Sequence, residues 1–422
     1  MKKLNYLLPL ASAFALPVMA STADQPGYSA YGVSNHHAMS MHGVNAAVPA
    51  VYAKEGFAFF DIFNVNVQAE AGDVNFVDEI EELIDILDED DITLDEATEI
   101  IDRFNEILPI AGEQGYGNIH LSSDLPLSFQ YKNDVGTFTF GTQMSAFLHS
   151  IVLDDEVRYN ELQQTIETNS SGYVKAAEKL QVSLGYSRQI NESKYGALFA
   201  GVRANLVQYG LSKQVISFEA ADSDEDLGDI ILDDYEDNIE REVGVTLDAS
   251  AFFLSQNYSL GLNILNINQP SFKFGDIGKN CEEKPTEAAQ INCYTAQYFS
   301  DRIALSETYK ADAYVTAQAS IFNDSQSMAI DFSIETEHNI PVGIEEQWAS
   351  VSVSGRPESK YIPNLSLTYS KNLVGTELSY LSGNLGWGIF NLSLGAALED
   401  TEIDGDKSPR GVFIGLSLNK AI

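Results

Sequence analysis

The sequence predicts an all-β chain: a transmembrane antiparallel β-barrel of about 14 strands. Three observations predict it. Hydrophobicity alternates with a period of two over most of the chain. The alternating runs reach about ten residues, the length a tilted strand needs to cross a bilayer. The connections between runs are alternately short and long, as in barrels whose two rims face different compartments.

Composition narrows the functional classes. The chain has 422 residues, with 62 acids against 24 bases and a net charge of −38. That balance argues against nucleic-acid binding, which needs a cationic surface to displace counterions. With 44% hydrophobic and only 20% charged residues, the chain is not an acidic disordered one. Two cysteines exclude a disulfide-built scaffold and a four-cysteine zinc site, and six histidines make a large metal cluster unexpected. No cofactor is expected.

The first segment is an address. Lys2 and Lys3 precede an apolar stretch from Leu7 to Val18, closed by Val18-Met19-Ala20. A basic region, an apolar run and a small-residue site make a signal peptide, cleaved after Ala20 or alternatively after Ala23. Pro9 and Pro17 interrupt the run, which is too short to span a membrane. Residues 21–56 then read as an N-terminal plug, and 57–422 as the barrel.

The alternation is clear at Phe138, Phe140, Thr142, Met144, Ala146 and Leu148, which oppose Thr137, Thr139, Gly141, Gln143 and Ser145. It recurs at Leu260, Leu262 and Ile264, at Ile330, Phe332 and Ile334, and at Leu365, Leu367 and Tyr369. The fourteen expected strands are 57–69, 122–132, 136–149, 173–189, 195–211, 243–255, 258–268, 312–322, 327–337, 348–355, 361–370, 377–386, 389–399 and 410–421. The opposite face is small and hydroxylated, as a lumen wall would be. Inward charges such as Asp248, Asp331 and Glu335 either line a conduit or pair with Arg203 or Lys175. The last strand ends at Ile422, with Lys420 on its apolar face, where such strands usually finish on an aromatic.

The long connections carry the other features. Residues 55–102 contain no Lys or Arg. Ile80, Leu83, Ile84 and Leu87 have helical spacing; Thr93 and Glu96 form a capping box for a second helix carrying Ala97, Ile100, Ile101, Phe104 and Leu108. The first long loop, 70–121, is therefore an acidic helical hairpin whose apolar stripe packs on its own barrel or on a partner. Asp88 to Glu99 lacks the oxygens and glycine of a calcium loop. Asp222, Asp224 and Asp226, followed by Gly228, come closer and make a weak calcium site or a solvated acidic loop. Cys281 and Cys293 lie in the fourth long loop and are expected to pair beyond the inner membrane. His36, His37, Met39, Met41 and His42 make either a metal-binding cluster or part of the plug. His120 and His149 lie near Ser122 and Ser150, but no spacing suggests a catalytic triad, so no enzyme is expected.

The stretch Ala38-Met39-Ser40-Met41-His42-Gly43-Val44, followed by Ala46-Ala47-Val48-Pro49-Ala50, resembles the N-terminal hatch of the FadL superfamily of outer-membrane barrels. It departs from that hatch in having His42-Gly43 for the usual Gly-Gly and Val48 for an Asn. The closing segments Trp348–Ser354, Leu365–Tyr369, Gly383–Gly386 and Phe390–Leu394 are similar to that superfamily's last strands. Within it, the acidic helical insertion looks most like the plasmid conjugal-transfer TraF-type barrels. The resemblance implies an N-terminal plug, fourteen strands, and passage of a small hydrophobic molecule or a part in conjugation. The expected partners are outer-membrane lipid, the barrel-assembly machinery, and a hydrophobic small molecule or a conjugation partner. The expected location is the outer membrane of a Gram-negative bacterium.

Overall fold

The computed structural model describes residues 45–419 apart from 54, 75–76, 88–91, 125–127, 222–234, 236–237, 326, 356–361, 388–389 and 404–405. The expected signal segment with Ala20, the His/Met stretch, most of the expected plug, Asp222, Asp224 and Asp226, and Lys420 to Ile422 lie outside the described residues.

Fourteen antiparallel strands close into one barrel. They are β1 (Gly56–Ala71), β2 (Tyr116–Asp124 and Ser128–Asn133), β3 (Gly136–Leu153), β4 (Ser171–Ser193), β5 (Gly196–Ser217), β6 (Glu240–Leu254) and β7 (Tyr258–Leu265). There follow β8 (Tyr314–Phe322), β9 (Met328–Glu335), β10 (Trp348–Gly355), β11 (Asn364–Asn372), β12 (Ser379–Trp387), β13 (Phe390–Ala397) and β14 (Gly411–Asn419). Each strand pairs with its neighbour in sequence, and β1 closes on β14 through Asn64↔Ser417 and Glu70↔Gly411. Closure leaves no unpaired sheet edge, which is what a spanning sheet requires in lipid.

The sheet is inverted relative to a soluble protein. Leu184, Val202, Leu206, Leu262, Phe332, Val353, Leu367 and Ile414 point outward and are exposed. Ser145, Gln181, Asn205, Thr246, Asn263, Thr316, Ser352 and Ser417 are buried inside. Such a pattern is favourable only if lipid covers the outside. Exposed aromatics ring the short-turn rim: Phe57, Tyr131, Phe138, Tyr195, Tyr258, Trp387 and Phe390. They form the girdle expected where a barrel meets the headgroups. No helix of the described residues is long and apolar enough to cross a membrane.

Several boundaries correct the sequence reading. The second strand begins at Tyr116, not 122, so the first insertion ends at Gly115. The alternation of Gly117, Ile119 and Leu121 with Asn118, His120 and Ser122 belongs to this strand, although its inward polar residues gave it the look of a loop. β1 begins at Gly56, inside the expected plug. β4 and β5 run to 23 and 22 residues, β4 longer at both ends and β5 longer at its C-terminal end than their alternation indicated. On their outer face, Leu180 and Leu206 are the last apolar residues before Glu178, Gln208 and Gly210. The upper half of these strands therefore rises beyond the bilayer as a wall. The long loops also contain small hairpins that the sequence reading did not place, such as 158–160 with 165–167 and 271–273 with 308–310.

The first insertion contains α1's counterparts on the outside: after α1 (Val48–Tyr52) in the N-terminal stretch come α2 (Val77–Leu87) and α3 (Leu94–Gln114). The Thr93/Glu96 capping box starts α3 as the sequence indicated. The apolar stripe of the two helices is covered by their own barrel. Leu83, Ile84, Phe104, Leu108 and Ala111 cluster with Val152, Val157, Ile166 and Phe218. α4 (Glu287–Tyr298), capped by the Thr286 side chain, packs on the opposite face of the same wall. There Ala296, Phe299 and Ile303 meet Leu153, Tyr173 and Val215.

Candidate functional site

The interior of the barrel is the candidate site, and polypeptide enters it from both rims. At the short-turn rim, Asn45 to Ala53 lie inside the barrel. Ala47, Val48 and Ala50 pack on Phe199 and Phe252 of the inner wall. The contact is close because Gly201 has no side chain: a Cβ there would sit 2.1 Å from the Ala46 carbonyl oxygen. The Ala46 amide donates to Ser250 Oγ at 3.1 Å. Lys132 Nζ donates to the carbonyls of Ala50 at 3.2 Å and Ala53 at 2.9 Å. These bonds satisfy backbone groups that the short helix α1 leaves over.

The middle of the lumen is polar. Arg203 Nε donates to Asp248 Oδ2 at 2.9 Å, and both side chains are almost fully buried. Asp248 also accepts from Asn205 Nδ2 at 2.8 Å and from the Asn266 amide at 3.0 Å. A buried pair is tolerable when its remaining lone pairs are hydrogen-bonded in this way. Of the two fates open to Asp248, pairing with Arg203 is the one observed. Asn263 bonds Thr316 at 2.6 Å, and Ser333 bonds Ser350 at 2.6 Å. Glu335 accepts the Trp348 amide at 3.1 Å.

At the long-loop rim, loop 269–311 and the 340–344 segment fold down into the mouth. Phe272, Phe274, Tyr309, Ala311 and Val342 pack on Phe147, Ala177, Val207, Tyr209 and Leu211 of the wall. Phe272 lies over Gly244, where a Cβ would sit 2.8 Å from its ring. Cys281 and Cys293 are bonded to each other, with Cα atoms 5.4 Å apart, and join the turn before α4 to the helix.

His120 and His149 stand on neighbouring strands of the barrel wall. His149 faces the lumen and its Nδ1 lies 2.7 Å from Asn118 Oδ1. Ser150, the next residue on the strand, therefore points to the opposite face. His120 stacks on Phe147, with ring centroids 4.2 Å apart. Glu70 accepts from Tyr380 Oη at 2.6 Å and from Gln68 Nε2 at 2.8 Å. No group of three metal-ligating side chains occurs among the described residues.

One constellation has no counterpart in the sequence reading. Lys175 of β4 and Lys213 of β5 are direct cross-strand partners on the lumen face, and Glu307 of the mouth loop lies 2.6 Å from the first and 3.9 Å from the second. Lys175 was a candidate partner for an inward acid, and the acid it meets comes from a loop.

Among solved structures, the chain is similar to a Pseudomonas putida toluene transporter at 12% identity and a TM-score of 0.43, covering 90% of this chain and 94% of that one. It is similar to a monoaromatic hydrocarbon channel at 11% identity and a TM-score of 0.47, covering 96% and 98%. A Pseudomonas aeruginosa FadL homologue gives 10% identity and a TM-score of 0.43, covering 96% and 98%. No curated protein matches the sequence. A family model matches residues 44–332, from the inserted N-terminal stretch through β9, and the chain belongs to that family, described as the F plasmid transfer operon TraF protein.

Proposed function

We propose that this protein is a closed outer-membrane barrel whose work is done outside the membrane, as a surface component of plasmid transfer, without transport of solute. The observation that carries this reading is the filling of both rims by the chain itself: residues 45–53 below, residues 272–274, 309–311 and 342 above. Between them the wall is polar, which is poor chemistry for an apolar solute. The folded mass lies beyond the long-loop rim, where the β3–β5 wall stands between the α2–α3 hairpin and the disulfide-stapled α4 loop. From Val77 to Gln114 that hairpin has fifteen acids and one base. Its solvent face suits a basic or cation-bridged partner surface.

The experiment has two arms. In planar bilayers the purified chain should be electrically silent, and liposomes carrying it should take up toluene no faster than empty ones. Replacing residues 77–114 by a short Gly/Ser linker should leave a barrel that still shifts on boiling in gel electrophoresis, while plasmid-transfer frequency falls. Steady conductance or saturable toluene uptake overturns the closed-barrel reading. Unchanged transfer overturns the platform role. A second reading, a plugged channel for small hydrophobic solutes, is favoured by the nature of the closures, which are segments that can leave rather than a narrowing of the wall.

A further inference from the structure

Bases are scarce in this chain, 24 against 62 acids, yet two lysines stand directly opposite each other on the inner wall. Like charges in that position destabilise a strand pair. Their heads are also withdrawn from solvent: the Lys213 side chain is fully buried and that of Lys175 is 12% exposed. Burial of an unpaired ammonium is costly. The mouth loop supplies what compensates. Glu307 reaches Lys175 at 2.6 Å and Lys213 at 3.9 Å. Lys213 also donates to the Ala304 carbonyl. The Phe274 ring lies 5.3 Å from one ammonium and 5.9 Å from the other. The two legs of the loop are tied at this level, because the Phe274 amide donates to the Glu307 carbonyl at 3.1 Å.

We infer that Lys175 and Lys213 form an anion-binding site in the mouth, occupied by the chain's own Glu307, and that loop 269–311 is a stopper held down by this exchangeable carboxylate. The inference rests on the closed-barrel reading and says what keeps the barrel closed. Asp276 also acts on Lys213 but is itself bonded by Lys279 at 2.6 Å; the two cations held by Glu307 therefore leave a net positive charge, so an external carboxylate or phosphate group competes with Glu307 for the pair. When it wins, Glu307 leaves with the loop and the cationic pair lines the opened mouth.

The first test uses the unaltered protein in detergent or liposomes. A trypsin site, Lys279, lies within the loop. Inorganic phosphate should speed cleavage there at least fivefold over chloride of equal ionic strength, with the barrel still shifting on boiling. Cleavage that ignores phosphate overturns the anion site. The second test is single-channel recording. Glu307→Gln should open at least ten times as often as the unaltered chain and select anions in a salt gradient. Lys175→Glu combined with Glu307→Lys should close again. A Glu307→Gln barrel that folds and stays silent, with its loop as protected as before, overturns the latch. If the unaltered chain already conducts, the closed-barrel reading falls, and the phosphate-dependent cleavage still decides the site.

Discussion

The two closures of this barrel use opposite chemistry. Below, a short Ala-rich segment approaches the wall through its backbone, over Gly201, and its carbonyls are held by Lys132. Above, aromatic side chains and a charged cluster hold a loop that is stapled by Cys281–Cys293. A backbone-to-backbone fit over glycine tolerates no added atoms, and its one charged contact, Lys132, meets neutral carbonyls and not a carboxylate that another anion could replace. A side-chain fit is looser and can be exchanged. The difference separates a built-in floor from a removable stopper. Between them lies the Arg203–Asp248 pair, whose burial depends on both closures keeping bulk water out.

The largest expected effect is at that pair. Asp248→Ala takes the buried carboxylate away from Arg203, Asn205 and the Asn266 amide, and breaking a buried pair in this way costs about 3–5 kcal/mol. Urea unfolding of the barrel in lipid vesicles would measure it. A loss under about 1 kcal/mol is the size seen for solvent-exposed pairs, and would show that the lumen is wet and the closures leaky. Next comes Gly201→Val, which forces side-chain atoms against the Ala46 carbonyl. Overpacking of this kind costs about 1–3 kcal/mol. Residues 45–53 should leave the wall and become protease-sensitive while the mouth loop stays protected. Gly244→Val should do the reverse, displacing Phe272. If either substitution loosens both ends, the closures are one cooperative unit and the distinction drawn above fails.

Much of this was legible in the sequence, for a physical reason. A strand facing lipid on one side and a lumen on the other must alternate, so strand number and the inward position of Asp248 could be read from period two, and the rims from the alternation of short and long connections. The capping box of α3 and the pairing of the two cysteines are likewise local or compositional. The Lys175–Lys213 pair was not legible. Counted back from the β4–β5 turn, where Ser193 pairs with Gly196, Lys175 would stand opposite Gln214, with Lys213 on the other face. A bulge between Gln189 and Asn191 shifts the register by one and brings Lys213 inside. A one-residue slip exchanges every side chain between faces, and nothing in the local composition marks it. Glu307 is 132 residues from Lys175 in sequence. Such a contact is set by how the loop folds, and no spacing shows it. α4 was missed because its face is weakly apolar and only Thr286 announces it.

The smaller effects test the folded parts outside the barrel. Cys281→Ser with Cys293→Ser removes a short staple, worth about 3 kcal/mol in the chain-entropy model. That loss should appear as faster trypsin cleavage at Lys279, with little change in urea unfolding of the barrel. A fall in barrel stability as large as the loop's own would mean that the stopper and wall unfold together.

The smallest effect is expected at the α2–α3 hairpin, and its size carries information about the platform. Arg103 Nη2 donates to Glu82 Oε2 at 2.6 Å, and the other guanidinium nitrogen contacts Oε1. The pair lies at the surface, so Arg103→Ala should cost only about 0.2–1 kcal/mol. Arg103's hydrogen bonds hold the Glu82 carboxyl below the usual carboxylate range. The contribution is therefore present above the ordinary carboxylate pKa and is lost as pH falls through the lowered value. The hairpin's apolar stripe, with Phe104 and Leu83 fully covered, should hold it to the wall whether or not the ion pair is made. Hydrogen exchange of α2 and α3 amides in Arg103→Ala, at neutral pH and at pH 4, would compare the two contributions. If protection collapses at neutral pH, the ion pair and not the apolar stripe docks the hairpin, and its acidic face would then be free to rearrange when a partner's cations replace Arg103.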